Sequence, residues 1–123
     1  MKGDGNMKKL FISQPMKGKS DSYIRAERQH LIEVAEEVCK EKFEVIDSYF
    51  PDFPKDIASE KVAVWYLGNS IQLMSKTDVV IFSRDWEDFR GCRIEHEVAI
   101  QYGFTPDIEL IESYSDFEVT END

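Results

Sequence analysis

Four short apolar segments, separated by longer stretches with helical spacing, constrain the fold of this chain most strongly. The apolar segments have the length of buried strands and cover residues 10–13, 43–46, 79–82 and 107–111. Apolar residues recur every three or four positions in residues 22–42, 61–76 and 92–102, which predicts helices there. Strands that alternate with helices form a parallel sheet covered by helices on both faces. The sequence therefore predicts an α/β fold.

The size of the chain, 123 residues, predicts a single domain. We expect this domain to cover residues 8–112, with a flexible polar leader at 1–7 and an acidic tail at 113–123. No run approaches the roughly 20 apolar residues of a membrane-spanning helix, and the first residues lack the apolar core of a signal peptide. The sequence therefore predicts a cytoplasmic protein that does not enter a membrane.

The charge of the chain argues against a nucleic-acid polymer as partner. Its 25 acidic residues outnumber the 15 lysines and arginines, which leaves a net charge of -10, and a phosphate backbone repels such a surface. The same repulsion applies to anionic membranes. The two cysteines, Cys39 and Cys92, and the two histidines, His30 and His96, lack the spacing of a disulfide framework or a metal site. We therefore expect no bound metal.

Glu95 is the residue that helical geometry singles out. At 100° per residue, one apolar arc of the third helix faces the sheet and contains Cys92, Ile94, Val98, Ala99 and Tyr102. Glu95 lies in the middle of this arc, where a carboxylate is costly unless it is paired or lies at the open end of the sheet. Two interpretations remain open: a nucleophile or base in a dry cleft, or a structural ion pair with Arg84, Arg90 or Arg93.

Helical geometry also predicts how other side chains are exposed. His96 projects toward the edge of the arc and is expected to be at least half exposed. Cys92 lies near a helix N-terminus, where its pKa can fall, although a place in the core is the favoured interpretation. In the first helix, Leu31, Ala35 and Val38 share the buried face, and Glu27 is placed outside it.

Three loops are expected at the carboxyl ends of the strands, where open parallel sheets bind ligands: residues 14–20, 47–60 and 83–91. After the third strand, Asp85, Glu87 and Asp88 surround Trp86 and place acids near Glu95, unless the loop is simply solvated. Trp86 can stack on a flat ligand there.

The loop after the first strand, residues 13–20, combines lysines, hydroxyls and a glycine ahead of a helix. Its amides, Lys17 and Ser20 can hold a phosphate, or it can be an ordinary connection in which Ser20 caps the helix. It contains neither a Walker A motif nor a dinucleotide fingerprint.

Three segments carry a family resemblance: residues 8–20 (KKLFISQPMKGKS), 63–82 (AVWYLGNSIQLMSKTDVVIF) and 86–103 (WEDFRGCRIEHEVAIQYG). Together they resemble an uncharacterised family of small domains, which is similar to the nucleoside 2-deoxyribosyltransferases and the deoxynucleoside 5′-monophosphate N-glycosidases. The resemblance implies a flavodoxin-like parallel sheet of four to five strands and a homodimer or higher homo-oligomer. The catalytic motif of these enzymes matches Gly91, Glu95, Ala99 and Gly103, which makes Glu95 the nucleophile that attacks the anomeric carbon.

The resemblance also implies roles for other residues. Asp85 or Asp88 is the acid that assists the leaving base, and Ser70 stands where many deoxyribosyltransferases have an aspartate. The expected substrate-binding residues are Ser13, Gln14, Met16, Lys17, Gly18, Ser70, Trp86, Arg90 and Gly91. The implied activity is hydrolysis or deoxyribosyl transfer on a nucleoside or deoxynucleoside 5′-monophosphate, without a cofactor. The alternatives are a protein that binds or senses a nucleotide without catalysis, and an acidic interaction domain.

Overall fold

The structure, a computed structural model, describes residues 7–46 and 52–113. Its strands are β1 (Lys8–Ser13), β2 (Phe43–Val45), β3 (Val79–Phe82) and β4 (Leu110–Glu112). Its α-helices are α1 (Asp21–Cys39), α2 (Val62–Met74) and α3 (Arg90–Gln101), with short 3₁₀ turns at Ser59–Lys61 and Trp86–Asp88. The predicted α/β class is confirmed. Most of the predicted leader and tail, together with residues 47–51, lie outside the described residues.

The four strands form one parallel sheet in the order β2-β1-β3-β4. This order is consistent with that of flavodoxin-like sheets. Within the sheet, β2 lies next to β1 on one side and β3 lies next to β1 on the other side, so the connections from these strands diverge. Connections that diverge in this way open a crevice at the carboxyl ends of the two central strands. Ser13 ends β1 at this crevice, and its carbonyl accepts a hydrogen bond from the Ser83 N–H at 3.1 Å.

Successive side chains along each strand point to opposite faces of the sheet, so the core consists of two layers, one on each face. Leu10 and Ile12 of β1 face α1, where Leu31 and Ala35 are buried against them. The opposite face packs against α2 and α3, and its buried residues are Phe11, Met74, Val80, Phe82, Ala99 and Leu110. Helices therefore cover both faces of the sheet, as predicted. None of the helices in the described ranges is long and apolar enough to cross a membrane.

The helix boundaries differ from the prediction at both ends of the first and third helices. Ser20 accepts a hydrogen bond from the Tyr23 N–H and caps α1, as predicted, whereas Lys40 adopts a left-handed conformation and ends the helix at Cys39. Helix α3 begins at Arg90 rather than at residue 92, so Gly91 lies inside the helix and not in the preceding loop.

The last strand is shorter and later than predicted. A turn closed by the Thr105 carbonyl occupies residues 105–109, and Asp107 within it has a φ of 69°. Strand β4 therefore begins at Leu110. The Ser113 N–H still donates to the Phe82 carbonyl, so this residue belongs to the sheet edge and not to the predicted tail.

The exposure predicted for several helical side chains is wrong. Val38 is 47% exposed, whereas Glu27 is buried with Leu31. Ile94 of α3 is exposed, and Tyr102, directly after the end of α3, is 81% exposed. The buried strip of α3 consists of Cys92, Glu95, His96 and Ala99. The burial of Glu95 is therefore confirmed, and the expected exposure of His96 is wrong because the buried strip is rotated toward it.

Candidate active site

Buried polar side chains gather at the carboxyl edge of the sheet. Those of the described residues are Ser13, Gln14, Glu27, Ser83, Glu95, His96 and Ser113. Four of them follow or end the strands β1, β3 and β4, and the other three reach the same edge from α1 and α3. Burial of polar groups is costly unless each finds a partner, so their concentration in the crevice marks this edge as the candidate site.

Glu95 lies at the centre of this group and is 8% exposed. The Ser13 hydroxyl donates a hydrogen bond to Glu95 Oε1 at 2.5 Å. Burial raises the pKa of Glu95 to about 7, and the hydrogen bond from Ser13 partly opposes this rise. The salt bridges among the described residues do not include Glu95. The interpretation of Glu95 as half of a structural ion pair therefore finds no support.

Glu27 is a functional candidate that the sequence analysis did not predict. Its side chain is 4% exposed, and its Oε1 accepts a hydrogen bond from Gln14 Nε2 at 3.1 Å. The same amide nitrogen donates to the Ile24 carbonyl at 2.8 Å. Burial is the main reason that the pKa of Glu27 is raised. The signal was present in the sequence, because Glu27 precedes the buried Leu31 by one helical turn.

Lys19 joins the two loops that border the crevice. Its ammonium lies 3.3 Å from Asp85 Oδ2 and 4.6 Å from the centre of the Tyr23 ring. Asp85 Oδ1 accepts a second hydrogen bond, at 2.9 Å, from the Ser83 hydroxyl. Lys17, which was predicted to bind the substrate, is exposed on the loop after β1 that also contains Lys19. Both oxygens of Asp85 are therefore held within the protein.

A cavity of about 270 Å³ opens beside these groups, between α1 and the loop after β3. It is lined by Tyr23, Glu27, Arg84, Asp85 and Asp88. A larger cavity of about 700 Å³ lies near the opposite edge of the sheet, between the ends of α2 and α3, and contains none of the predicted site residues. Of the two buried glutamates, Glu27 lines the smaller cavity and Glu95 lines neither of these two cavities.

Trp86 is held by aromatic contacts on the other side of the site. Its ring stacks on His96 with centroids 3.7 Å apart and planes 5° apart, and it lies against Phe82. His96 Nε2 lies 2.6 Å from Glu112 Oε2, which ties α3 to β4. His96 therefore covers one face of the Trp86 ring, and a ligand cannot stack on that face.

No described hydrogen bond or salt bridge joins the remaining predicted residues to the buried carboxyl groups. Met16 and Gly18 are exposed in the loop after β1, and Gly18 has a φ of +80°. Arg90 is exposed at the start of α3, and a side chain at Gly91 would meet no atom within 4 Å. Ser70 is half-buried in α2 and does not line the cavity.

The thiol of Cys92 is buried next to the site, and its pKa is raised. Burial raises the pKa of its thiol to about 12, with smaller contributions from the carboxylates of Glu95, Asp85 and Glu27. The lowered pKa that a helix N-terminus suggested is therefore wrong. The described residues contain no group of three or more histidine, cysteine or acidic side chains that could hold a metal ion.

Comparisons of the chain with protein-family models, with curated proteins and with solved structures found no match in any of the three. A function can therefore be inferred only from the geometry of the site and from the sequence resemblance.

Proposed function

We propose that this protein cleaves the N-glycosidic bond of a nucleoside or deoxynucleoside 5′-monophosphate, through a covalent intermediate on Glu95. The observation that carries this proposal is a nearly buried glutamate, hydrogen-bonded to Ser13, at the crevice of a parallel sheet. The resemblance of residues 86–103 to the deoxyribosyltransferase motif supports the same role. The finer assignment of the fold, as nucleoside 2-deoxyribosyltransferase-like, is part of this proposal.

The reaction has two steps, as in retaining glycosidases. A carboxylate oxygen of Glu95 attacks the anomeric carbon, and the bond to the base nitrogen breaks with its electron pair going to the base. Water, or a second base, then attacks the same carbon and displaces Glu95. Hydrolysis and transfer differ only in this acceptor, and neither needs a cofactor.

The surroundings of Glu95 suit a nucleophile. The Ser13 hydroxyl holds one carboxylate oxygen, which orients the side chain before substrate binds. Water competes little for a carboxylate that is buried, so its charge acts more strongly on the developing positive charge of the sugar. Since Glu95 must be ionised to attack, we expect the rate to rise as the pH increases through about 7.

The loops at the crevice supply the proposed contacts to the rest of the substrate. Lys17, Arg90 and the amides around Gly18 lie on the exposed segments that follow β1 and begin α3, where a 5′-phosphate can approach a helix N-terminus. The candidates for assisting the departing base are the carboxyl groups that line the smaller cavity, Glu27, Asp85 and Asp88. Assembly into a homo-oligomer belongs to the same proposal.

The proposal is tested by incubating the protein with a panel of deoxynucleosides and their monophosphates and measuring free or exchanged base by chromatography. We expect turnover with at least one substrate and a loss of at least 1,000-fold in Glu95→Gln, because the amide cannot attack. Glu97→Gln is the matched control, since Glu97 is exposed on the same helix. Mass spectrometry of protein treated with a slowly hydrolysed 2-fluoro sugar analogue should find the adduct on Glu95. Folded protein that releases or exchanges no base from any substrate would refute the proposal.

A further inference from the structure

Two neighbouring residues at the end of β1 each bind a buried glutamate. Ser13 donates to Glu95 on α3, and Gln14 donates to Glu27 on α1. Successive residues at the end of a strand point to opposite faces, so the two carboxyl groups approach the carboxyl edge of the sheet from opposite sides. The strand end therefore positions a pair of glutamates, of which the resemblance accounts only for Glu95.

Glu27 is held in one orientation and meets the smaller cavity. Its Oε1 is occupied by Gln14, whose amide is itself fixed by the Ile24 carbonyl. The side chain also lines the cavity of about 270 Å³. This volume lies just below the roughly 300–1,000 Å³ of typical ligand sites, so it suits a single ring system better than a complete nucleotide.

On the basis of the proposed function, we propose that Glu27 is the general acid and base of the reaction. When the glycosidic bond breaks, the Glu27 carboxyl gives its proton to a ring nitrogen of the base, which leaves neutral. Glu27 is then a carboxylate. In the second step it takes a proton from the attacking water, while the oxygen of that water bonds to the anomeric carbon and Glu95 departs as a carboxylate. Both glutamates return to their starting states.

The other acids of the cavity are less suited to this role. Asp85 already accepts hydrogen bonds on both of its oxygens, from Lys19 and Ser83, and Asp88 is exposed. A general acid must instead keep its proton near neutral pH.

The pKa of Glu27 is shifted in the direction that this role needs. Burial, assisted by the charge of Asp85, raises the pKa of Glu27, and the Gln14 hydrogen bond, Lys19 and His30 oppose that rise.

The experiment compares two kinds of leaving group in wild type and Glu27→Gln. The first substrate is the ordinary nucleoside or nucleotide that the panel identifies. The second carries a cationic base, N7-methylguanine or nicotinamide, which departs neutral without receiving a proton. Glu27→Gln should slow the first substrate by 100-fold or more and the second by less than threefold.

Two further variants separate chemistry from folding. Glu27→Asp keeps a carboxyl group and should recover part of the rate on the ordinary substrate. Glu37→Gln, an exposed position on the same helix, should leave both rates unchanged. Thermal unfolding of each variant shows whether it is folded at the assay temperature.

The outcomes distinguish this proposal from the proposed function. If the wild type is active and Glu27→Gln slows both substrates by the same factor, Glu27 has a structural role and is not the general acid and base. Unchanged rates in Glu27→Gln would also overturn the proposal. A wild type that releases base from neither substrate refutes the proposed function, and the role of Glu27 with it.

Discussion

Replacing Glu95 by glutamine should stabilise the protein above neutral pH while it abolishes the proposed activity. The unfolded chain ionises Glu95 at its ordinary pKa of 4.5, whereas burial raises the pKa in the folded protein to about 7. Between these values the folded state binds a proton that the unfolded state has lost, so stability falls as the pH rises from 4.5 to 7. Glutamine has no charge to bury and escapes this loss.

The magnitude follows from the same two values. A rise in pKa from 4.5 to about 7 corresponds to a loss of about 3 kcal/mol of unfolding free energy, fully developed above pH 7 and absent below pH 4.5. For a domain of this size, 3 kcal/mol is a shift of roughly 10 °C in Tm. Glutamine can still accept the hydrogen bond of Ser13, so the comparison changes little besides the charge.

Urea unfolding, followed by circular dichroism at pH 5 and at pH 8, measures this effect. We expect Glu95→Gln and wild type to differ by less than about 1 kcal/mol at pH 5 and by about 3 kcal/mol at pH 8, with the variant more stable. Every other titrating group is present in both proteins and cancels in the difference. Glu97→Gln, exposed on the same helix, should show no such change with pH. A difference for Glu95→Gln that is the same at both pH values would refute the reasoning.

Two further predictions concern the neighbours of Glu95. Ser13→Ala removes the hydrogen bond that lowers the pKa of Glu95, so the rise of the proposed activity should move to higher pH; an unmoved profile would contradict this. Cys92, buried with a thiol pKa of about 12, should resist a thiol-specific disulfide reagent at pH 8 until the protein unfolds, whereas the half-buried Cys39 should react first; rapid labelling of Cys92 in Cys39→Ser would count against the buried placement.

The strands and helices were predictable because they depend on local pattern. The run at residues 79–82 was predicted with the bounds of β3, since four consecutive apolar residues suit a strand covered on both faces. Glu95 was also predictable, because one helical period was enough to place it among apolar residues. Element ends were less predictable: the left-handed Lys40 and the turn before β4 depend on hydrogen bonds that no periodicity reveals.

The buried polar residues could not be predicted from the spacing of apolar residues alone. Glu27 was predicted outside the buried face of its helix and His96 was predicted to be at least half exposed, yet both are buried. Each burial depends on a partner from another element: Gln14 at the end of β1 holds Glu27, and Glu112 in β4 holds His96. A polar group is buried when its partner is in place, and partners distant in sequence are known only from the fold.

The sequence by itself determined the α/β class, the order of elements and the position of Glu95 on a sheet-facing helix, because these follow from the spacing of apolar residues along the chain. Only the tertiary structure decided what surrounds that glutamate. In the folded protein, Ser13 is hydrogen-bonded to Glu95 and Gln14 to Glu27, and a salt bridge between two loops joins Lys19 to Asp85. The residues in these contacts are far apart in sequence and close together in space. The contacts can therefore be predicted only when the order of the strands in the sheet is known.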